Sequence, residues 1–350
     1  MFGTYQSCDV TILLKDITGL VEPMGTRERE AKIQSGTHYS EMLPVEYEPS
    51  SAYLAAYQDA LDRYAGMTAE AVACVAEKIW RDKGRDVVLV SLARAGTPIG
   101  ILIQWYLKFR YGTAVEHYTI SIIRGRGIDH AAMSYILGRH RPEQLQFVDG
   151  WTGKGAIQQE LRQAAAQYPG VDGGLAVLSD PGCLAGKWGT RDDFLIASSC
   201  LNATVSGLLS RTFYRSDIIA PGEFHGAAFY SQWREQDQTY AFLNTVADRF
   251  PDTRPRQEEE RTFSQSAAEE VSSICAHFGL QDRNLVKPGI GEATRVLLRR
   301  MPWMILVRSL HDAEHLGHLY QLAKEKGARL VEYPLEHYRA CGLIQALADN

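Results

Sequence analysis

Seven residues between two predicted elements concentrate the chemistry of this chain. The strand LQFVD runs directly into GWTGKGA, Gly150 to Ala156, and then into a predicted helix, IQQELRQAAAQY. A glycine-rich loop at a helix N-terminus presents backbone N–H groups that lack intrahelical partners, at the positive end of the helix dipole, and so suits a phosphate. Gly150, Trp151, Thr152, Gly153, Lys154 and Gly155 place a hydroxyl, a cation and three small residues there, directly after the carboxylate of Asp149. The loop is not a Walker A sequence, and GCLAGKW nearby is one residue short, with Trp188 where the magnesium-binding hydroxyl belongs. A second strand-to-helix turn, SLARAGTPIG, spans Ser91 to Gly100. Ala95 and Gly96 let backbone approach an anion closely, and Arg94 or Thr97 adds a donor. Two anion loops on one sheet suggest a doubly phosphorylated ligand. Arg124 and Arg126 in IIRGRG end another strand and are candidate ligand contacts; Asn202, in SSCLNA, is a candidate for the acceptor side.

The thiols give a different possibility. Cys183 in DPGCLAG and Cys200 in SSCLNA both follow predicted strands, and with His225 or His38 either pair would make a nucleophile and a base. No local protease signature surrounds them, and cysteine is commonly a small buried hydrophobe, so a catalytic thiol is the minor reading. The six cysteines form no CxxC pair for zinc. His311, His315 and His318 lie at helical spacing with Glu314, but HExxH is absent, and an exposed helix surface without metal is expected.

These loops need a scaffold, and the chain supplies one. DVVLVSL, AVEHYTISII, LQFVDGW, LAVLSD and FLIASS read as strands, separated by helices such as IGILIQWYLKFRYG, which Gly112 would stop. Continuous apolar strands alternating with helices imply a parallel sheet covered on both faces, with ligands beyond the carboxyl ends of its strands. GRGIDHAAMSYILGRH, between the second and third strands, is expected to close over the site. Upstream, SSAYLAAYQDALDRY and TAEAVACVAEKIW read as two helices, the second N-capped by Thr68. PDTRPRQEEERT combines proline, charge and low hydrophobicity and marks a linker at 251–262. A second unit follows at 263–350, with helices AAEEVSSICAHFG, EATRVLLRR and DAEHLGHLYQLAKEKG and strands WMILVRS and RLVEYP.

The chain has 350 residues, 45% hydrophobic and 23% charged, with a formal charge of −5, which fits about two globular domains and excludes a basic coat for nucleic acid. No stretch approaches a membrane span, and the N-terminus lacks a signal-peptide pattern, so a cytoplasmic location is expected.

SLARAGTPIG and FVDGWTGKGAI resemble the type I phosphoribosyltransferases. With SSCLNATVSGLLSRTF they look more closely like the phosphoribosyltransferase-like proteins of bacterial tellurite-resistance and stress operons, a family that has also been labelled a cysteine protease. The resemblance covers most of residues 1 to 245. It implies an α/β parallel-sheet domain over 1–250, with a helical hood at 1–83. It also implies transfer of a phosphoribosyl group from phosphoribosyl pyrophosphate (PRPP), with its magnesium, to an unidentified nitrogenous acceptor. In that reaction Asp149 would orient the ribose, Thr152 to Gly155 would bind the 5'-phosphate, and Ala95, Gly96, Thr97 and Arg94 would bind pyrophosphate, with Lys154 assisting. One departure is Gly150, which stands where ordinary members have a second acid. A PRPP-sensing RNA regulator and a cysteine hydrolase are the alternatives.

KPGIGEATRVLLRRMPWMILVRS resembles the RNA-binding domain of Pelota and the L7Ae ribosomal proteins. The resemblance implies contact with structured RNA at the turn Gly289 to Gly291, with Lys287, Glu292, Arg295 and Arg299 beside it. Residues 285–345 hold nine Lys/Arg against six Asp/Glu, a mildly basic segment in an acidic chain. The sequence also allows a homodimer.

Overall fold

The computed structural model describes residues 2–46, 51–255 and 262–344. Its larger part is a six-stranded, all-parallel sheet. The strands are β1 (Thr11–Ile12), β2 (Val88–Leu92), β3 (Glu116–Ile120), β4 (Leu145–Trp151), β5 (Leu175–Ser179) and β6 (Lys187–Thr190), in the spatial order β1-β3-β2-β4-β5-β6. β2 and β5 are buried at every residue, as β-branched runs covered on both faces must be. Successive residues of β2 go to opposite sides. Leu89 packs with α1 (Ser51–Lys83) and α2 (Gly96–Tyr111), whereas Val88 and Val90 pack with α3 (His130–Leu137) and α4 (Ala156–Ala165).

Three sequence expectations change here. α1 is one helix of 33 residues, because the Thr68 hydroxyl donates to the carbonyl of Tyr64, 2.8 Å away in the preceding turn, and caps nothing. FLIASS is not a strand but coil leading into a short 3-10 turn at Ala197–Ser199, and the sheet's edge is instead β6, where Gly189 lets α1 come close. A Cβ on Gly189 would lie 2.3 Å from the carbonyl oxygen of Ala71. The expected lid is core: Ala132, Met133 and Ile136 of α3 are fully buried against the sheet.

The smaller part is a four-stranded sheet, β7-β10-β8-β9, built from β7 (Val286–Pro288), β8 (Pro302–Val307), β9 (Arg329–Glu332) and β10 (Ala340–Ile344). Helix α5 (Ala267–Phe278) starts at a capping box in which Ser266 and Glu269 bond each other's backbone N–H. Helices α6 (Ile290–Arg299) and α7 (Ala313–Lys326) cover the face turned to the larger part, and their buried residues Ile290, Val296, Leu316 and Leu319 join the main hydrophobic core. The expected linker falls partly on 256–261, outside the described residues, as do 345–350. No helix among the described residues is long and apolar enough to cross a membrane.

Candidate functional site

All six sheet strands run the same way, so the turns after β2, β4 and β5 meet at one edge. The α6 end of the smaller part lies against that edge.

The turn after β4 is held from below and covered from above. The Thr152 hydroxyl donates to Asp180, at the end of β5, and its N–H donates to the Ser179 carbonyl at 3.0 Å. Asp180 is fully buried; it also pairs with Arg191 and accepts from the N–H groups of Leu184 (3.0 Å) and Ala185 (2.9 Å). Gly155 opens α4 at φ +81°, a left-handed conformation that favours glycine. Lys154 Nζ reaches across to the smaller part, to the carbonyl oxygens of Arg283 (2.5 Å) and Val286 (3.5 Å). Burial, then the charges of Lys287 and Arg124, push the Lys154 ammonium down to about 8. Burial pushes Asp149 up to about 6, against the N–H of Gly150, 2.8 Å from its Oδ1, and the charge of Arg295.

The turn after β2 closes on its own domain. Ser91 Oγ lies 2.7 Å from His117 Nε2, whose Nδ1 is 2.9 Å from the Asp9 carbonyl; both side chains are buried. Thr97 Oγ1 meets Thr119 Oγ1 at 2.7 Å, also in the core. Ala95 stands just before α2, and Gly96 packs on the backbone of Val148. Arg94 does meet Asn202: its guanidinium donates to Asn202 Oδ1 at 2.7 Å and to the Leu209 carbonyl at 2.9 Å, and pairs with Glu46 at 2.8 Å. Arg124 donates to Asn284 Oδ1 at 3.0 Å, and Arg126 pairs with Glu41.

The residues expected to meet RNA lie against the larger part. Gly291 faces Trp151 and Ser199, and the Arg295 guanidinium lies over the Trp151 ring, 4.5 Å from its centre. Burial raises Glu292, but the charges of Arg295 and Lys287 outweigh it and hold its carboxyl low. Burial lowers Lys287 against the charge of Glu292, and Arg300 and Arg124 add to the lowering. The side chain of Arg299 lies outside the described part. His318, expected on an exposed face, instead bonds Thr294 Oγ1 at 3.1 Å between α6 and α7, and burial pushes its imidazole down to about 4.

Three residues that sequence reasoning missed fasten the junction. Asp193 accepts from the N–H of Ile290 at 2.9 Å and of Arg339 at 2.8 Å, so a carboxylate of the larger part completes the first turn of α6. Burial pushes it up to about 6 despite those bonds. The Tyr338 hydroxyl donates to the Gly153 carbonyl at 2.9 Å. His337 Nδ1 is 3.0 Å from the Pro181 carbonyl and Nε2 is 2.8 Å from that of Gln265. The only available signal was positional: Asp193 follows the edge strand in a loop at the ligand-binding edge.

Among the thiols, Cys200 is 4% exposed, whereas Cys183 is exposed, with φ +56°, on the loop that His337 and Tyr338 pack against. Cys8 is also exposed, but it precedes β1 and so stands at the opposite edge of the sheet. His38 bonds Ser40 Oγ (2.9 Å) and the Arg124 carbonyl (3.1 Å). His225 lies 2.9 Å from Ser121 Oγ and lines a separate cleft of about 560 Å³ with Arg126, Asp129, His130 and Tyr214.

The architecture is thus a parallel α/β domain capped at its ligand-binding edge by a small four-stranded domain. Residues 3–247 match the family model described as tellurite-like stress resistance cysteine protease StiP, and residues 265–346 match that of the PELOTA RNA binding domain. A protein of Acinetobacter baylyi named "Cysteine protease StiP" is 35% identical over 99% of this chain and 95% of its own length. The chain belongs to the StiP family, with a PELOTA RNA-binding domain at its C-terminal side. That description overturns the expected phosphoribosyltransferase activity: the family is named for cysteine proteolysis, not for glycosyl transfer. The catalytic parts given to Asp149, Arg94 and Lys154, together with PRPP as substrate, belonged to that reaction and are withdrawn with it. The cysteine hydrolase alternative fits the family better.

Proposed function

We propose that this protein is a cysteine peptidase whose nucleophile is Cys183. The observation that carries the choice is position: an exposed thiol, on left-handed backbone, just past the carboxyl end of β5. Non-glycine residues in that conformation collect at functional sites, because the surrounding structure must hold them there. The holding is visible, since Asp180 fixes the loop through Leu184 and Ala185, and Cys183 N–H donates to the Asp180 carbonyl at 3.1 Å. Sγ attacks the scissile carbonyl carbon as the amide C–N bond breaks and the leaving nitrogen takes a proton; water then cleaves the thioester, releasing the acid and the thiol. Both ring nitrogens of His337 face backbone carbonyls, those of Pro181 and Gln265, so this ring braces the Cys183 loop rather than acting as its base. The smaller domain binds RNA in this reading, in keeping with its family model.

The test is hydrolysis of a denatured protein substrate by the purified chain. Cys183→Ser should lower turnover by roughly a hundredfold or more, with ordinary folding, while Cys8→Ser leaves it unchanged. Undiminished hydrolysis in Cys183→Ser would assign the nucleophile elsewhere.

A further inference from the structure

The geometry points to a single surface with two competing occupants: the turn Gly289–Gly291 and the face of α6 carrying Arg295, which in this structure are held by the protein's own sheet edge and which a structured RNA takes only by displacing that edge. The inference rests on the RNA-binding match of residues 265–346 and is independent of the peptidase reading, since its readout is binding.

Contacts at the start of α6 already engage the groups that an RNA phosphate would use. Asp193 occupies the N–H of Ile290, a Cβ added at Gly291 would lie 3.6 Å from the Trp151 ring, and Arg295 lies over that ring and pairs with Glu292 at 3.1 Å. A helix start facing a carboxylate cannot at the same time face a phosphate. Gly153 and Pro181 are tied to the same domain through Tyr338 and His337.

The closed junction also carries an electrostatic conflict that a polyanion relieves. Lys154 comes from the larger domain and Lys287 from the smaller; docking buries them near each other, with Arg124 adjoining. Lys154 and Arg124 are met across the junction by backbone carbonyls and the Asn284 amide. Glu292 beside Lys287, and Asp282 near both lysines, offset part of this charge, while the carbonyls around Lys154 solvate it without cancelling it. An RNA backbone supplies a denser negative charge than these two carboxylates and gains counterion release. When the binding-competent state is a minor one, apparent affinity falls by the fraction that is open. Weakening the docked state at junction residues away from the RNA surface, Asp193 of the larger domain or Tyr338 of the smaller, should therefore tighten RNA binding.

The experiment measures affinity of the full chain for a folded RNA stem with an internal bulge, with a single strand of equal length as control. Asp193→Ala should bind the folded RNA roughly tenfold tighter than wild type, and Tyr338→Phe severalfold tighter. Hydrogen exchange on the wild type should show faster exchange at Leu184 and Ala185 and in the loop after β4 when the folded RNA is added. If Asp193→Ala does not fold, Tyr338→Phe and the wild-type exchange decide. Unchanged or weaker affinity in the folded variants, or greater protection on both sides of the junction, would overturn competition and place the RNA on another face or across both domains.

Discussion

At Gly96, after β2, an added Cβ would stand 2.4 Å from the carbonyl oxygen of Val148; at Gly153, after β4, it would stand 3.5 Å from that of Pro288. Both glycines sit in turns that read alike in the sequence, as small residues beside a cation and a hydroxyl at a helix start. The first is demanded by the fold of its own domain, where helix and strand backbones touch. The second has room for a methyl group and faces another domain. The two cations divide in the same way: Arg94 is spent on Glu46, Asn202 and Leu209 within the larger part, while Lys154 crosses to the smaller. A glycine-rich turn is therefore two different signals, one of packing and one of approach, and only the neighbour tells them apart.

The largest effect is expected at Gly96. Gly96→Ala should destabilise the protein by about 3 kcal/mol in urea unfolding, because backbone must shift and no flexible side chain can yield. A loss under about 1 kcal/mol would show that the turn has slack, and the distinction would collapse.

A second effect belongs to the carboxylates at the junction. Asp149 and Asp193 both hold their protons more tightly in the folded chain than the ordinary 3.8, up to about 6. Their contribution to stability is thus fully present below about pH 4 and is lost as pH rises towards 6, where ionised carboxylates must stay buried. Asp149→Asn should flatten that fall by about 2 kcal/mol, read as urea midpoints at pH 4 and pH 7. An unchanged slope would mean that water reaches the Asp149 carboxyl freely. The smallest effect should be that of Gly153→Ala, within about 0.5 kcal/mol of wild type in the same unfolding measurement. A larger loss would show the domains pressed together as tightly as Gly96 and Val148.

Most of the larger sheet was legible because its strands announce themselves. Val87 to Leu92 is a valine-rich apolar run between Asp86 and the Ala93–Arg94 turn, and Gly112 does end its helix in the left-handed conformation. FLIASS misled because a short apolar run reads the same whether it becomes a strand or buried coil. β10 escaped notice for the opposite reason: ACGLI has two small residues and one glycine, yet Gly342 is where α6 crosses most closely, a Cβ there meeting Val296 at 2.8 Å. The loops of the candidate site could be found from glycine, charge and position. The docking of one domain on the other could not, because Asp193, Trp151 and Tyr338 act on partners far away in the chain, and no local pattern encodes such a meeting.

The order of the small sheet also sets a timetable. β10 lies between β7 and β8 and follows both in the chain. On the ribosome, neither strand can find the partner that lies between them until Ala340–Ile344 has emerged, although β8 can pair with β9 before then. At roughly 5 to 20 residues per second, β8 waits about two to seven seconds with an open edge, long enough for the edge to pair with a nascent neighbour on the same messenger. The larger domain has been made by then, so its carboxyl edge is the first surface that the half-built sheet meets.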